Sequence, residues 1–369
     1  MAGRFEYALA TEADDDVLRE LLRQIAMPGD ITLAFLREPS FFLAEQAGSV
    51  ASQVLVCRNR QQGRIVGLGT RSVRCVYIDG SPTRVGYLGM LRGIPEERGN
   101  IGLARGYQFL KRLHADGAVP YYFTTILDEN TPALELLTSA RAGLPIYQPF
   151  AHLVTYLIPL AGRRRNLGNP AGAGAVLRGE RALLGEATAY LAEWSSQHQF
   201  APVYSLQDIL GESTLLPAFS WENLYIYRGQ GAVRGTLGVW DQQSFKQTVV
   251  AAYSRRMQAV RPLFNLYAAA RGIPRLPRAG DGIKLLYATC VSGDAPAFDR
   301  LVQQVCAEWS GKGYDYLAVG FGTESTCAPI ASGLATQRIK STLYAVYWPD
   351  DDVALPQADK PVHPEIATL

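Results

Sequence analysis

The sequence predicts an α/β (α+β) fold built as two similar domains in tandem, each a twisted mixed sheet flanked by helices. Three observations predict it. Between Val85 and Leu137 the pattern runs strand, turn, helix, strand, helix. An offset of 195 lays Tyr121 on Tyr316 and Glu129, Thr131 and Ala133 on Glu324, Thr326 and Ala328, with the strand and helix patterns in step around them. Between the two copies, Leu160 to Gly174 (LAGRRRNLGNPAGAG) has the composition of a linker. The expected division is 1–160 for the first domain, 161–180 for the linker, 181–349 for the second domain and 350–369 for an extended tail.

Taken in order, Phe5 to Ala10 alternates as a strand, and Thr11 with Asp14 three residues on is a capping-box signature. Val17, Leu18, Leu21, Leu22 and Ile25 recur at helical spacing until Pro28-Gly29. Ile31 to Leu36 reads as a second helical piece that continues past Pro39 to Phe41, Phe42 and Leu43. A meander follows: Gln53 to Arg58, Arg64 to Ile78 and Val85 to Arg92, turned at Gln62-Gly63 and Asp79-Gly80. The last of these is apolar without helical spacing, as a buried strand is, and Gly93, Ile94 and Pro95 stop it. A helix then runs from Leu103 to His114. Two glycines beside Arg98 at its entrance leave N–H groups pointing outward in the positive field of a helix N-terminus, a geometry that binds pyrophosphate. Tyr121 to Ile126 is a second buried strand, and Asp128 to Ala133 opens a helix with Pro132 in its first turn. Arg141 to Pro149 reads as a loop, and Phe150 to Ile158 as a closing strand.

The second half opens on a helix carrying Leu183, Leu184, Ala187, Tyr190, Leu191 and Trp194. Strands are expected at Asn223 to Arg228, Ala232 to Trp240 and Gln247 to Tyr253, then a helix from Arg255 to Ala270 and a basic, proline-containing loop from Gly272 to Arg278. A strand from Ile283 to Cys290, a helix from Ala297 to Trp309, and strands at Tyr316 to Phe321 and Ser341 to Trp348 complete it. The 195-residue offset puts Leu91 on Leu286 and Arg98 on Gly293. Gly293, Asp294, Ala295 and Pro296 contain no Arg or second glycine, and Asp294 would repel a pyrophosphate, so only the first half has a phosphate loop.

At 369 residues the chain can bury two cores, and a hydrophobic fraction of 48% with 19% charged residues excludes a disordered class. A net charge of +2, with Arg163 to Arg165 as the one basic run, gives no reason to expect a nucleic-acid partner. No uncharged run reaches the length of a membrane span and the start lacks a signal pattern, so a cytoplasmic protein is expected. Cys57, Cys75, Cys290, Cys306 and Cys327 are scattered and read as reduced thiols. His114, His152, His198 and His363 have no ligand spacing, so no metal site is expected.

Pro95, then Arg98-Gly99 at the mouth of a helix, then a strand, then Asn130, Ala133 and Leu136 at three-residue spacing resembles the acyl-CoA-binding core of the GCN5-related N-acyltransferases, the GNAT superfamily. The resemblance implies acetyl-CoA or a longer acyl-CoA as co-substrate, with its pyrophosphate on Arg98, Gly99, Asn100, Ile101, Gly102 and Leu103. It also implies that the two buried strands splay so that pantetheine lies between Leu91, Arg92 and Gly93 on one side and Thr125, Asn130, Ala133 and Leu137 on the other. Ile101 and Leu103 depart from the glycine or alanine usual there, and Leu137 stands where the family often has the Tyr that protonates the leaving thiolate. These replacements suit a longer, apolar acyl chain.

Acyl transfer to an amine needs donors that polarise the thioester carbonyl, a base for the amine proton and help for the departing thiolate. The amides near Leu91, Arg92 and Gly93 are the candidate donors. No acid lies between Thr83 and Pro95, and Glu96 and Glu97 read as solvated carboxylates. Tyr147 is a candidate stand-in for the missing acid, and His152, in the closing strand, is a further catalytic candidate. Some tandem relatives in the superfamily thread the C-terminal carboxylate into the cleft as base, which makes Leu369 the third candidate by resemblance. The function so implied is transfer of an acetyl or longer acyl group from CoA to an amine of a small molecule or peptide. Two alternatives stay open: an aminoacyl-tRNA-dependent peptide ligase of tandem GNAT-like fold, against which near-neutral charge and the lack of a basic helical arm count, and a non-catalytic acyl-CoA-binding protein.

Overall fold

In the computed structural model, which describes residues 4–97, 102–139, 141, 143–160, 174–357 and 359–369, the capping box at Thr11 and Asp14 is formed, with the Thr11 amide donating to the Asp14 carboxylate at 2.9 Å. The first half contains β1 (Phe5–Leu9), α1 (Asp15–Gln24), β2 (Ile31–Leu36), α2 (Phe41–Gln46), β3 (Ala51–Asn59), β4 (Arg64–Ile78), β5 (Ser81–Gly93), α3 (Leu103–His114), β6 (Tyr122–Leu127), α4 (Thr131–Leu137) and β7 (Ile146–Pro159). The second contains β8 (Ala175–Arg178), α5 (Leu184–Ser196), α6 (Leu206–Ile209), β9 (Leu224–Gly229), β10 (Ala232–Asp241), β11 (Gln247–Tyr253), α7 (Arg255–Arg271), β12 (Gly282–Ile283), β13 (Leu285–Gly293), α8 (Ala295–Trp309), β14 (Tyr316–Gly322), α9 (Ala328–Leu334) and β15 (Gln337–Tyr347).

Apolar spacing decides which faces are buried. Leu18, Leu21 and Leu22 of α1 close over the first half's sheet with Val54, Val56 and Leu68. Phe298, Leu301, Val302 and Val305 of α8 do the same for the second half, against Leu237, Leu286 and Val319. Twelve strands form one continuous sheet in the order β1-β3-β4-β5-β6-β15-β7-β14-β13-β10-β9-β8. The two halves exchange a strand: β15 lies between β6 and β7, and β7 pairs with β15 and β14 but not with β6.

Several sequence expectations are corrected. Ile31 to Leu36 is not helical but the strand β2, which pairs antiparallel with β11 from Leu36 opposite Gln247 to Ile31 opposite Tyr253, and with β12 makes a second, three-stranded sheet. Its β-branched start suits an extended chain, but its partner is more than two hundred residues away. The loop expected from Arg141 to Pro149 gives way at Ile146 to β7. Within the expected linker, Ala175–Arg178 is an edge strand on β9, while 161–173 lie outside the described residues. Among the described residues no helix is long and apolar enough to cross a membrane, and no cluster of His, Cys, Asp and Glu could hold a metal ion.

Candidate active site

β5 and β6 run parallel and pair only at Gly86 with Tyr122 and Tyr87 with Phe123. Just beyond, the Thr124 hydroxyl donates to the Leu88 carbonyl at 2.7 Å, and the Tyr87 and Thr125 hydroxyls meet at 3.3 Å. The ladder goes no further, because a bulge turns β5: Gly89 to Arg92 spans three steps while its partner β4 takes two, from Thr70 to Leu68, and Met90 sits at φ 52°. Between the diverging strands lies a cavity of about 480 Å³.

The cavity gathers most of the residues picked from sequence. Leu91 and Arg92 of β5, Leu103 of α3, Thr125 of β6, and Asn130, Ala133 and Leu137 beyond it all line the space, as do Tyr147 and Leu369. Gly93 and Gly102 flank it without lining it. His152 does not line it: it is exposed on β7, with its Nδ1 3.1 Å from the Thr342 hydroxyl. Arg98, Gly99, Asn100 and Ile101 lie outside the described residues.

The mouth is set by local contacts. The Tyr7 hydroxyl donates to the Gly102 carbonyl at 2.8 Å and so holds the start of α3. Among the described residues no side chain caps that start and no acid lies in its first turn, while Lys111, Arg112 and His114 occupy the last, so the N-terminal field is left uncompensated by the helix's own carboxylates. Glu97 is not the solvated carboxylate expected: it is buried, paired with Arg4 and hydrogen-bonded by Asn59 at 3.0 Å. The stand-in acid has a partner that the sequence did not show, since the Tyr147 and Tyr107 hydroxyls share a hydrogen bond. Burial raises Tyr107 to about 12 and Tyr147 well above the usual phenol value.

The chain beyond β15 is seated by both halves. Arg74 of β4, stacked 3.8 Å over the Tyr87 ring, donates to the Thr368 carbonyl at 2.6 Å and hydroxyl at 3.0 Å, and Gln242 donates to the Ala367 carbonyl at 2.8 Å. Two glycines make room. A Cβ on Gly320 would lie 1.7 Å from Ile366, and one on Gly48, whose φ is +71°, would lie 2.5 Å from Thr368. The result is that Ile366 and Leu369 both reach the cavity.

Glu365 anchors this segment through a feature that the two halves share. On β13, Thr289 to Ser292 spans three steps against two on β10, and Cys290 has φ 51°. This is the β5 bulge repeated, with Met90 matched by Cys290 at an offset of 200. The 195-residue offset holds for the ends of α3 and α8 and for β6 and β14 but not for β5 and β13: Gly86, opposite Tyr122, matches Leu286, opposite Leu317, so Leu91 corresponds to Val291 and not to Leu286. The difference arises because α8 starts directly after Asp294, with no loop between strand and helix. Asp294 accepts from the Ala297 amide at 2.9 Å and so caps its helix, where Gly102 at the start of α3 has no side chain to do so. At the second bulge the Glu365 carboxyl accepts from the Cys290 amide at 3.1 Å and the Thr289 hydroxyl at 3.0 Å, and burial raises its pKa to about 7.

No family model matches this sequence, and no curated protein is similar to it in sequence. Solved structures are similar in fold. Saccharomyces cerevisiae N-myristoyltransferase with bound myristoyl-CoA and inhibitors superposes with a TM-score of 0.60 at 9% identity, over 98% of this chain and 86% of that one. The same enzyme with bound myristoyl-CoA gives 0.58 at 9% identity, over 94% and 83%. A GCN5-related N-acetyltransferase from Sphaerobacter thermophilus gives 0.54 at 12% identity, over 97% and 99%. With its two repeated bulges, its exchanged strands and these likenesses along almost its whole length, the chain has the fold of the GCN5-related N-acetyltransferase superfamily, in the two-lobed form of N-myristoyltransferase.

Proposed function

We propose that the protein is an acyl-CoA-dependent N-acyltransferase that moves an acetyl or longer acyl group to an amine of a small molecule or peptide. The observation that carries this reading is the gap between β5 and β6, with its cavity of about 480 Å³. An extended pantetheine arm fits between two strand edges that leave each other unpaired. The start of α3, with Gly102 at its N-cap and no acid in its first turn, suits a diphosphate. Leu55, Leu68, Leu110 and Ile126 give the interior an apolar wall that favours an acyl chain longer than acetyl.

Roles follow from position. The β5 bulge at Leu91 and Arg92 polarises the thioester carbonyl. The Leu369 carboxylate takes the amine proton. Tyr147 supplies a proton to the thiolate in place of the tyrosine replaced at Leu137; its raised pKa keeps it protonated at neutral pH.

Thermal unfolding with CoA, acetyl-CoA and a long-chain acyl-CoA tests the reading. A ligand at a hundredfold over its Kd adds about 2.7 kcal/mol, so no stabilisation by any of the three overturns it. Stabilisation without thiol release over an amine panel leaves a binding protein only. Arg98→Glu is expected to abolish stabilisation by CoA while the unliganded melting temperature stays unchanged; wild-type affinity in that variant refutes the diphosphate site. Deletion of residues 366–369 is expected to abolish turnover, and full turnover would dismiss Leu369 as base.

A further inference from the structure

We propose that α7 and the loop after it form a docking face for a lipid surface with anionic headgroups. From Ser254 to Gly280 the chain carries Arg255, Arg256, Arg261, Arg271, Arg275 and Arg278 and no Asp or Glu. A chain of net charge +2 thus holds six positive charges in one stretch, leaving −4 over the rest. The modest total hides a strongly basic helix and return loop, which the sequence expectation of no basic helical arm overlooks. Among the described residues no carboxylate forms an ion pair with any of the six guanidinium groups; Asp281 accepts only from the Arg278 backbone amide, at 3.2 Å.

The same helix presents its apolar residues to solvent. Val260, Leu263, Leu266 and Tyr267 follow one another at i, i+3, i+6 and i+7, within one side of the helix, and are 45%, 72%, 72% and 53% exposed. Leu263 and Leu266 are the most exposed large apolar side chains among the described residues. The face is held in shape. Ser254 caps the helix by accepting from the Met257 amide at 3.2 Å, and Gly272 ends it at φ 65°. Asn265 ties down the return loop with both ends of its amide, accepting from the Leu276 amide at 2.8 Å and donating to the Leu276 carbonyl at 3.0 Å.

Charge and apolar exposure together select the occupant. A nucleic acid would match the arginines and leave the leucines in water; an acidic bilayer buries the leucines at the headgroup boundary and attracts the arginines. The helix follows directly on β11, whose partner β2 contributes Phe35, and the chain just beyond it Arg37, to the cavity wall, so docking brings that cavity close to the lipid. The inference does not depend on the acyl-transfer reading.

Flotation of the full chain with phosphatidylcholine vesicles, with and without about one third phosphatidylserine, tests it. The expected result is flotation with the anionic vesicles at low salt, little with the neutral ones, and loss at high salt. Arg255→Glu with Arg256→Glu should lower the partition roughly tenfold or more, since each surface cation is worth about fivefold. Leu263→Ser with Leu266→Ser should lower it roughly tenfold as well. All four side chains are exposed, and unchanged melting temperatures establish that both variants are folded. No flotation, equal flotation with both vesicle types, or wild-type partition in either variant overturns the proposal. So does a dimer in sedimentation velocity that the leucine variant dissolves, which makes the face an interface between copies. Oligonucleotide binding that needs the arginines and ignores the leucines, without lipid binding, also overturns it.

Discussion

Glu365 and His363 share the segment that enters the cavity and respond to pH in opposite senses. Burial raises Glu365 from 4.5 to about 7, so its contribution to stability is complete below pH 4.5 and is lost as the pH climbs through about 7. Burial lowers His363 from 6.5 to about 3; its contribution is complete above pH 6.5 and is lost as the pH falls toward 3. Between pH 4.5 and 6.5 the two slopes cancel, and stability falls away on either side. Glu365→Gln keeps an accepting oxygen and removes the titration. Its stability relative to wild type should therefore rise between pH 5 and pH 8, by on the order of 3 kcal/mol in urea unfolding; a difference that is constant with pH would show that Glu365 does not titrate there. Gly320→Ala is a steric counterpart. The added methyl collides with Ile366, so turnover should drop tenfold or more while stabilisation by acyl-CoA persists. Unchanged turnover would dissociate the seat of the tail from the chemistry. Neither residue was legible in sequence: a buried Glu in a proline-rich tail and a lone glycine in a strand carry no local pattern, and both gain meaning only from atoms brought in from far along the chain.

Local periodicity explains which elements could be read and which could not. The strands and helices from Val85 to Leu137 obey rules of spacing, capping and turn chemistry that act within a few residues, and they form where expected, with Asn130 capping α4 and Pro132 in its first turn. β2 fails the same test because its identity as a strand comes from β11, in the other half. The gap between β5 and β6 is intermediate. The motif implied it, but the bulge that opens it shows only as a register shift against β4. Helix starts follow the same logic: α8 is capped by Asp294 and α3, among the described residues, by no side chain. Asp294→Ala should cost about 1 kcal/mol in urea unfolding and leave acyl-CoA affinity untouched; an equal loss of affinity would place ligand binding in the second half.

On the scale of the molecule, the exchange of β7 and β15 joins what the sequence divides. A chain ending at residue 160 would carry β7 without either of its partners and leave the β15 side of β6 open, so it should be aggregated or unfolded by circular dichroism. Residues 1–173 and 174–369 produced together should assemble into one particle that melts cooperatively, because every strand then has its neighbours; independent folding of each piece would contradict the exchange. The repeated pattern of elements was visible in sequence because each copy kept its periodicity. The exchange was not, because pairing partners leave no trace in composition.

The twin bulges give this architecture a built-in comparison between one that borders the cavity and one that a carboxyl group fills. Glu365→Ala would empty the filled one, leaving a hole the size of a carboxyl group with the Cys290 amide and the Thr289 hydroxyl still aimed into it. Acetate added to that variant should restore part of the lost melting temperature while sulfate at matched ionic strength does not, which would make the second bulge a small-molecule receptor created by subtraction.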